Sequence, residues 1–344
     1  MYQHAGLPAQ SASQIGIADV MPRTDPIHLV TVGGGTGLST LLKGLKPYLH
    51  PEATPKIELT AIVTVTDDGK SSGRLRREFD VLPPGDIRNC LAALADEDLP
   101  MTKLFRHRFS GDGSVGGHAL GNLILLALNE MSGDFPAAIE CAGRLLGINA
   151  RVLPSTLDHV DLVARLNGKS VKGQVAIKSQ NLPIRELSLE PPDAHALPAA
   201  VEAIHQADLI TLGPGSLFTS VIANLLVRGI ADALAESPAK KLYVCNAMTE
   251  FDETDGFAAE DHVQELLEYA PGLQLDYALF NSTPISAEMR ERYATEKAHP
   301  IEAPMALPGT GRTQFISLPL ASESQAVRHD PEKLSRAIFE IASR

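Results

Sequence analysis

Short apolar runs alternate with glycine-rich or polar turns and with stretches of helical period along the chain. That rhythm predicts an α/β fold. Residues 27–32, Ile-His-Leu-Val-Thr-Val, form a β-branched run that ends in glycines, and helix-compatible residues Leu38 to Leu45 follow. The plan recurs at 208–212, where a short strand runs into Gly213-Pro214-Gly215-Ser216 and then an apolar helix through Val227. Ile57 to Val65 and Lys241 to Cys245 read as further buried strands. Ile87 to Leu94 reads as a helix, and Leu120 to Leu128 as a buried one. Strands alternating with helices predict a doubly wound, mostly parallel sheet with ligands at the carboxyl edge of its strands. Residues 151–190 break the pattern, alternating apolar and polar positions around Asn167-Gly168, which predicts a small antiparallel β-hairpin insertion serving as a lid or an oligomer contact. Residues 1–25, rich in Gln, Ser, Ala and Pro, are expected to be a flexible leader, with 26–344 forming the α/β domain.

At 344 residues and 44% hydrophobic content, the chain can bury the core of one large domain or two modest ones. A net charge of −12 argues against non-specific binding to nucleic acid or to an anionic membrane surface. The three cysteines, Cys90, Cys141 and Cys245, are scattered, which suits neither a disulfide framework nor a CxxC zinc site. No stretch reaches the roughly 18 apolar residues of a membrane span, and no basic segment precedes an apolar core at the N-terminus, so a cytoplasmic location is expected.

Candidate chemistry lies in the loops. Gly33-Gly34-Gly35-Thr36-Gly37 sits where a strand hands over to a helix, so its amides and the helix's positive end are suited to an anion, phosphate above all. It matches neither the dinucleotide fingerprint nor the nucleoside-triphosphatase loop, and tight strand-helix packing is the competing explanation. Gly213-Pro214-Gly215-Ser216 supplies a second such junction, and two junctions suit a diphosphate. Asp67 and Asp68, at the end of a buried strand, are candidate ligands for Mg²⁺ bridging to phosphate, although an Asp-Asp-Gly turn is also ordinary punctuation after a strand. Ser71, Ser72 and Arg74 fit as donors to a charged ligand, while Arg76 and Arg77 are expected to be solvated. Asp86 reads as a helix N-cap with Asn89 facing the site. His118 and Asn122 fall near one another at an apolar helix start, with a satisfied core histidine the alternative for His118. Asn246, Thr249 and Glu250 end a strand, and Glu253, Asp255, Asp261 and His262 are either ribose, base or sugar contacts or helix caps. No GxSxG elbow or activated cysteine supports acyl transfer.

Six ordered motifs carry a resemblance that spans nearly everything after residue 26: VGGGTGLSTLLKGLK at 32–46, TDDGKSSGRLR at 66–76, PPGDIRNCLAAL at 83–94, GHALGNLIL at 117–125, LGPGSLFTSVIANLLV at 212–227, and YVCNAMTE with DGFAAEDHV beyond it. The chain resembles the YvcK-type gluconeogenesis factors, relatives of the CofD-type 2-phospho-lactate transferases. Lys70 and the Glu250-Phe251-Asp252-Glu253 turn depart from the usual pattern. The resemblance implies a Rossmann-like core and a UDP-sugar or other nucleotide ligand, with a regulatory role in carbon metabolism and cell shape. It places phosphate contacts at Gly33 to Gly37 and Gly213 to Ser216, metal contact at Asp67 and Asp68, and polar ligand contacts at Asn89, Asn122, Asn246 and Thr249. The transferase branch implies the alternative, Mg²⁺-dependent transfer of a phospholactate-type group from a nucleoside-diphosphate-linked donor. No cofactor beyond Mg²⁺ is indicated, and a homo-oligomer and a regulatory protein partner both stay open.

Overall fold

The computed structural model describes residues 25–180, 182–302 and 313–342, so nearly all of the expected leader lies outside the described residues. The chain runs β1 (Ile27–Gly33), α1 (Gly35–Leu45), β2 (Ile57–Val63), α2 (Lys70–Phe79), α3 (Gly85–Leu94), α4 (Pro100–Arg106), α5 (Leu120–Ser132), α6 (Phe135–Leu145) and β3 (Arg151–Pro154). There follow β4 (Asp161–Leu166), β5 (Lys169–Lys172), α7 (Gln174–Lys178), β6 (Glu186–Glu190), α8 (Pro198–Gln206) and β7 (Leu209–Leu212). A π-helical segment, Leu217–Ile222, leads into α9 (Ala223–Leu225). The remainder is α10 (Ile230–Glu236), β8 (Lys240–Val244), α11 (Ala259–Glu268), β9 (Tyr277–Asn281), α12 (Ala287–Ala294), β10 (Gln314–Leu318), β11 (Ala321–Glu323), β12 (Val327–His329) and α13 (Pro331–Ala342).

Seven strands form one sheet in the order β10-β9-β8-β7-β1-β2-β3, and every pairing within it is parallel. Parallel strands sandwiched between helices are buried on both faces and therefore read as continuous apolar runs. Accordingly Leu29, Val30, Val32, Ile62, Val63, Ile210 and Leu212 are all buried, and sealing each such side chain from water contributes about 1.5–3 kcal/mol.

The order of strands sets where a ligand can go. From β1 the chain first winds outward through β2 and β3, then returns to the other side of β1 and continues through β7, β8, β9 and β10. Connections after β1 and β7 therefore leave in opposite directions, opening a crevice at their carboxyl ends. The two strands run in register from Leu29 beside Leu209 to Val32 beside Leu212, which puts both glycine loops at that crevice.

The antiparallel expectation for 151–190 is met in β4, β5 and β6, which form a separate three-stranded sheet. Asn167 and Gly168 connect β4 to β5 with φ of 46° and 78°, a two-residue turn whose left-handed positions suit Asn-Gly. The first four of those residues, Arg151–Pro154, instead pair with β2 in the main sheet. The expectation for α5 needs a second correction. It extends to Ser132, and of its apolar residues only Leu125 is fully buried, while Met131 is 82% exposed. A helix packed against neighbours on one side shows this pattern even when its sequence is apolar all round.

Candidate functional site

Both glycine loops line one cavity of about 310 Å³, together with Asn246, Thr249 and Glu250 after β8 and with Tyr293, Arg328 and His329 from the C-terminal part. Gly34, Gly35, Thr36 and Gly37 face it from the first loop, and Pro214, Gly215 and Ser216 from the second. Gly33 and Gly213 lie behind them as structural positions. Gly33 accepts at its carbonyl from Asn224 Nδ2 at 3.1 Å, and the Gly213 amide donates to the Val32 carbonyl at 2.9 Å.

The glycines are required by contact. A Cβ on Gly37 would lie 2.5 Å from the Pro214 carbonyl oxygen, and one on Gly34 would lie 2.7 Å from Thr64 Cγ2. Gly35 opens α1 at φ 62°, a left-handed value that a side chain strains. First-turn amides have no acceptor inside their own helix, so Thr36 and Gly37 present N–H groups to the cavity. Gly35's amide is already engaged by the Asp86 carboxyl. The Gly215 amide likewise donates to Asn246 Oδ1 at 3.2 Å.

Acidic groups crowd this edge of the sheet. Asp86 belongs to the first turn of α3, whose N-cap position is Pro84, so it is not the cap expected from sequence. Its carboxyl lies against Gly34, where a Cβ would approach Oδ2 to 3.0 Å. Burial first, and the nearby Asp67 charge second, push its pKa up to about 7, against the hydrogen bonds of Gly35 and Asn89. Asn89 thus supports Asp86. Glu250 receives the Ser216 hydroxyl at 2.5 Å and Asn246 Nδ2 at 2.8 Å, and burial followed by the Glu253 charge raises its pKa to about 7. Glu253 is wholly buried; it accepts from Thr219 Oγ1 at 2.7 Å and pairs with Lys178 Nζ at 2.9 Å. Lys178 comes from α7, so the antiparallel sheet's helix places a cation beneath the second glycine loop.

Asp67 and Asp68 diverge. Asp67 accepts from the Gly69 amide at 2.9 Å and lies against Gly85, beside Asp86. Asp68 accepts from the Val175 amide at 2.9 Å and so holds the start of α7. Among the described residues, no group of three or more His, Cys, Asp or Glu side chains is arranged around a metal position. Mg²⁺ needs only one or two carboxylates plus phosphate oxygens, and Asp67, set against Gly85, bears on the charge of Asp86 as well as on that of Asp68.

The remaining expected residues form a structural network away from the cavity. Ser71 Oγ contacts His118 Nδ1 at 2.9 Å and accepts from Asn122 Nδ2 at 2.9 Å. His118 is therefore a satisfied buried histidine, and its pKa is lowered, by burial first and the charge of Arg74 second. Ser72 is buried against Gly85. Arg74 spends its guanidinium on the carbonyls of Gly116 and Ser114, at 3.0 and 2.8 Å. Arg76 was expected in solvent, but it reaches Asp161 on β4 at 2.6 Å with its side chain only 14% exposed, because the antiparallel sheet folds back over α2. Asp261 accepts from the Ala258 amide at 2.7 Å, a cap rather than a ligand contact. Sequence reasoning missed Asp86 as a site residue, Lys178, and the Arg328-His329 wall. The signal for Asp86 was its place in a Pro-Pro-Gly-Asp turn, but nothing local marks Lys178 or His329.

A doubly wound parallel sheet with paired glycine junctions at its switch point defines a Rossmann-like α/β protein whose site lies at the carboxyl edge. Residues 29–313 match the family model described as 2-phospho-L-lactate transferase CofD, and the chain belongs to that family. The gluconeogenesis factor of Halalkalibacterium halodurans is 40% identical over 318 residues, covering 91% of this chain and 96% of that protein. The gluconeogenesis factor of Bacillus subtilis is 40% identical over 311 residues, covering 90% and 96%. An X-ray crystal structure of a Bacillus halodurans protein superposes with a TM-score of 0.86 at 40% identity, covering 92% of this chain and all of that one.

Proposed function

We propose that this protein binds a nucleotide sugar of the UDP-sugar class and acts as a regulatory factor under gluconeogenic growth. One observation carries the reading: two sheet-to-helix junctions open onto a single cavity, with the Thr36 and Gly37 amides on one side and the Ser216 hydroxyl on the other. That arrangement suits a diphosphate, while Asn246, Thr249 and Tyr293 supply polar and aromatic groups for the remainder of a nucleotide sugar. The names of the relatives support the metabolic setting. Occupancy reaches the rest of the molecule through Glu250. A diphosphate competes with its carboxylate for Ser216, and Glu250 neighbours Lys178 on α7. The antiparallel sheet is then the part whose position responds to ligand.

Calorimetry with UDP-N-acetylglucosamine tests the binding step. Saturable heat that disappears in Gly37→Val is expected; no heat from any UDP-sugar would sink the reading. The transferase alternative is favoured by the family model and by Asp86 lying against Gly34 of the first glycine loop, with Asp67 set against Gly85 next to it in the chain. In that reaction an acceptor hydroxyl oxygen bonds to the distal phosphorus of the donor, the hydroxyl proton passes to a carboxylate, and nucleoside monophosphate leaves. Release of that monophosphate from a guanosine-diphosphate-linked phospholactyl donor, dependent on Mg²⁺ and on a deazaflavin alcohol, separates the enzyme from the binder.

A further inference from the structure

Arg88 carries a guanidinium that the protein orients on one edge and leaves open on the other. Its Nε donates to Asn122 Oδ1 at 3.2 Å, and Asn122 is itself held by Ser71, which in turn meets His118. These three residues are buried, at 1%, 8% and 2% exposure respectively, so a locked polar chain sets the plane of the guanidinium. Gly121 makes room for it, since a Cβ there would lie 2.8 Å from Arg88 Cγ. The two terminal nitrogens meet no protein acceptor among the described residues.

The charges around Arg88 are unusual for this chain. Burial first, and Arg108 next, lower its pKa; Asp86 and Asp67 oppose that, and Arg106 adds to it. Arg106 is engaged with Glu97 and the Ala92 carbonyl, whereas exposed Arg108 spends one nitrogen on the Gly117 carbonyl at 2.6 Å. Arg108 bridges Ala119 just before α5, and Asn122, which holds Arg88, lies in the first turn of that helix, so both arginines flank the same helix start. Two cations held together in that way are stabilised by a shared anion.

We propose that Arg88 and Arg108 form an oxyanion subsite, distinct from the glycine-loop cavity, that takes a phosphate group. The fork of a guanidinium matches two phosphate oxygens, and a pre-oriented fork loses less freedom on binding. Ser71, His118 and Asn122 are its positioning residues, which explains why they are absent from the cavity wall. The subsite stands independently of the nucleotide reading. It adjoins the cavity through Asp86, which lies two residues before Arg88 and takes the Gly35 amide.

Phenylglyoxal labelling of the full chain, mapped by mass spectrometry with inorganic phosphate as the probe, tests the subsite. Phosphate is expected to protect Arg88 and Arg108 while Arg144, whose side chain is 70% exposed, labels at an unchanged rate. Arg88→Lys should raise the phosphate concentration that half-saturates protection of Arg108 by about tenfold. Should that variant fold poorly, the exposed Arg108→Gln should do the same to Arg88. Absence of protection at Arg88, or protection confined to Arg328 in the glycine-loop cavity, overturns the proposal. Protection of Arg88 without any UDP-sugar heat keeps the subsite and removes the nucleotide reading; the converse result does the opposite.

Discussion

Gly37 and Gly215 come so close that a Cβ on Gly37 would lie 2.6 Å from the Cα of Gly215. The contact joins the loop after β1 to the loop after β7 backbone to backbone, and so fixes the width of the cavity between them. Gly37→Ala must push the loops apart. Overpacking of this kind costs about 1–3 kcal/mol, and denaturant unfolding should show that loss together with weakened nucleotide binding. A variant as stable as the parent would show that the loops are not held at this spacing.

Lys178 and Glu253 form the charged link between α7 and the segment after the second glycine loop, with Glu253 fully buried. Lys178→Met leaves that carboxylate without its cation. Because Lys178 is 39% exposed, the expected cost is about 2 kcal/mol, below the usual range for breaking a buried pair. The double variant Lys178→Met with Glu253→Gln should recover most of it in thermal unfolding. No recovery would mean that packing, not charge, joins the two parts.

Asp86 and Glu250 both have pKa values raised to about 7 in the folded protein. A carboxyl that holds its proton more tightly when folded contributes stability that is complete below the unfolded pKa, near 4, and is lost as pH rises through about 7. The difference in unfolding free energy between the parent and Asp86→Asn or Glu250→Gln should therefore change between pH 4 and 7 and stay flat above. Allowing for partial solvent contact, the change is on the order of 1–2 kcal/mol per group. An unchanged difference across that window would place both carboxyls in ordinary surroundings.

Asn122 bridges Arg88 and Ser71 by its two amide atoms. Asn122→Ala should cost about 1–3 kcal/mol, since it removes the acceptor of Arg88 Nε and one of the two partners of buried Ser71. It should also speed phenylglyoxal labelling of Arg88 by freeing its Nε. A labelling rate equal to that of the parent would show that Asn122 does not hold the guanidinium.

The core of the fold was legible because its signals are local. Runs such as Leu29 to Val32 and Leu209 to Leu212 carry β-branched or apolar residues at every position, with Thr31 and Thr211 their one polar member each, and a strand buried on both faces suits that pattern. Glycine at 34, 35, 37, 213 and 215 marked the strand-helix junctions for a similar reason: each has a left-handed φ or a contact too close for a Cβ. The sequence alone therefore determined the doubly wound parallel sheet, the two junctions and the Asn167-Gly168 turn. The tertiary structure decided which polar groups share a space. Adjacent Asp67 and Asp68 end on different partners, Asp86 faces Gly34, and Lys178 reaches Glu253 across the fold. Neighbours in sequence need not be neighbours in charge, because a turn sends successive side chains to opposite sides while strand order brings distant loops together. Arg74 and Arg88 show the same division: both are arginines near glycine loops, but one is consumed by carbonyls of a folded-back loop and the other keeps its fork open.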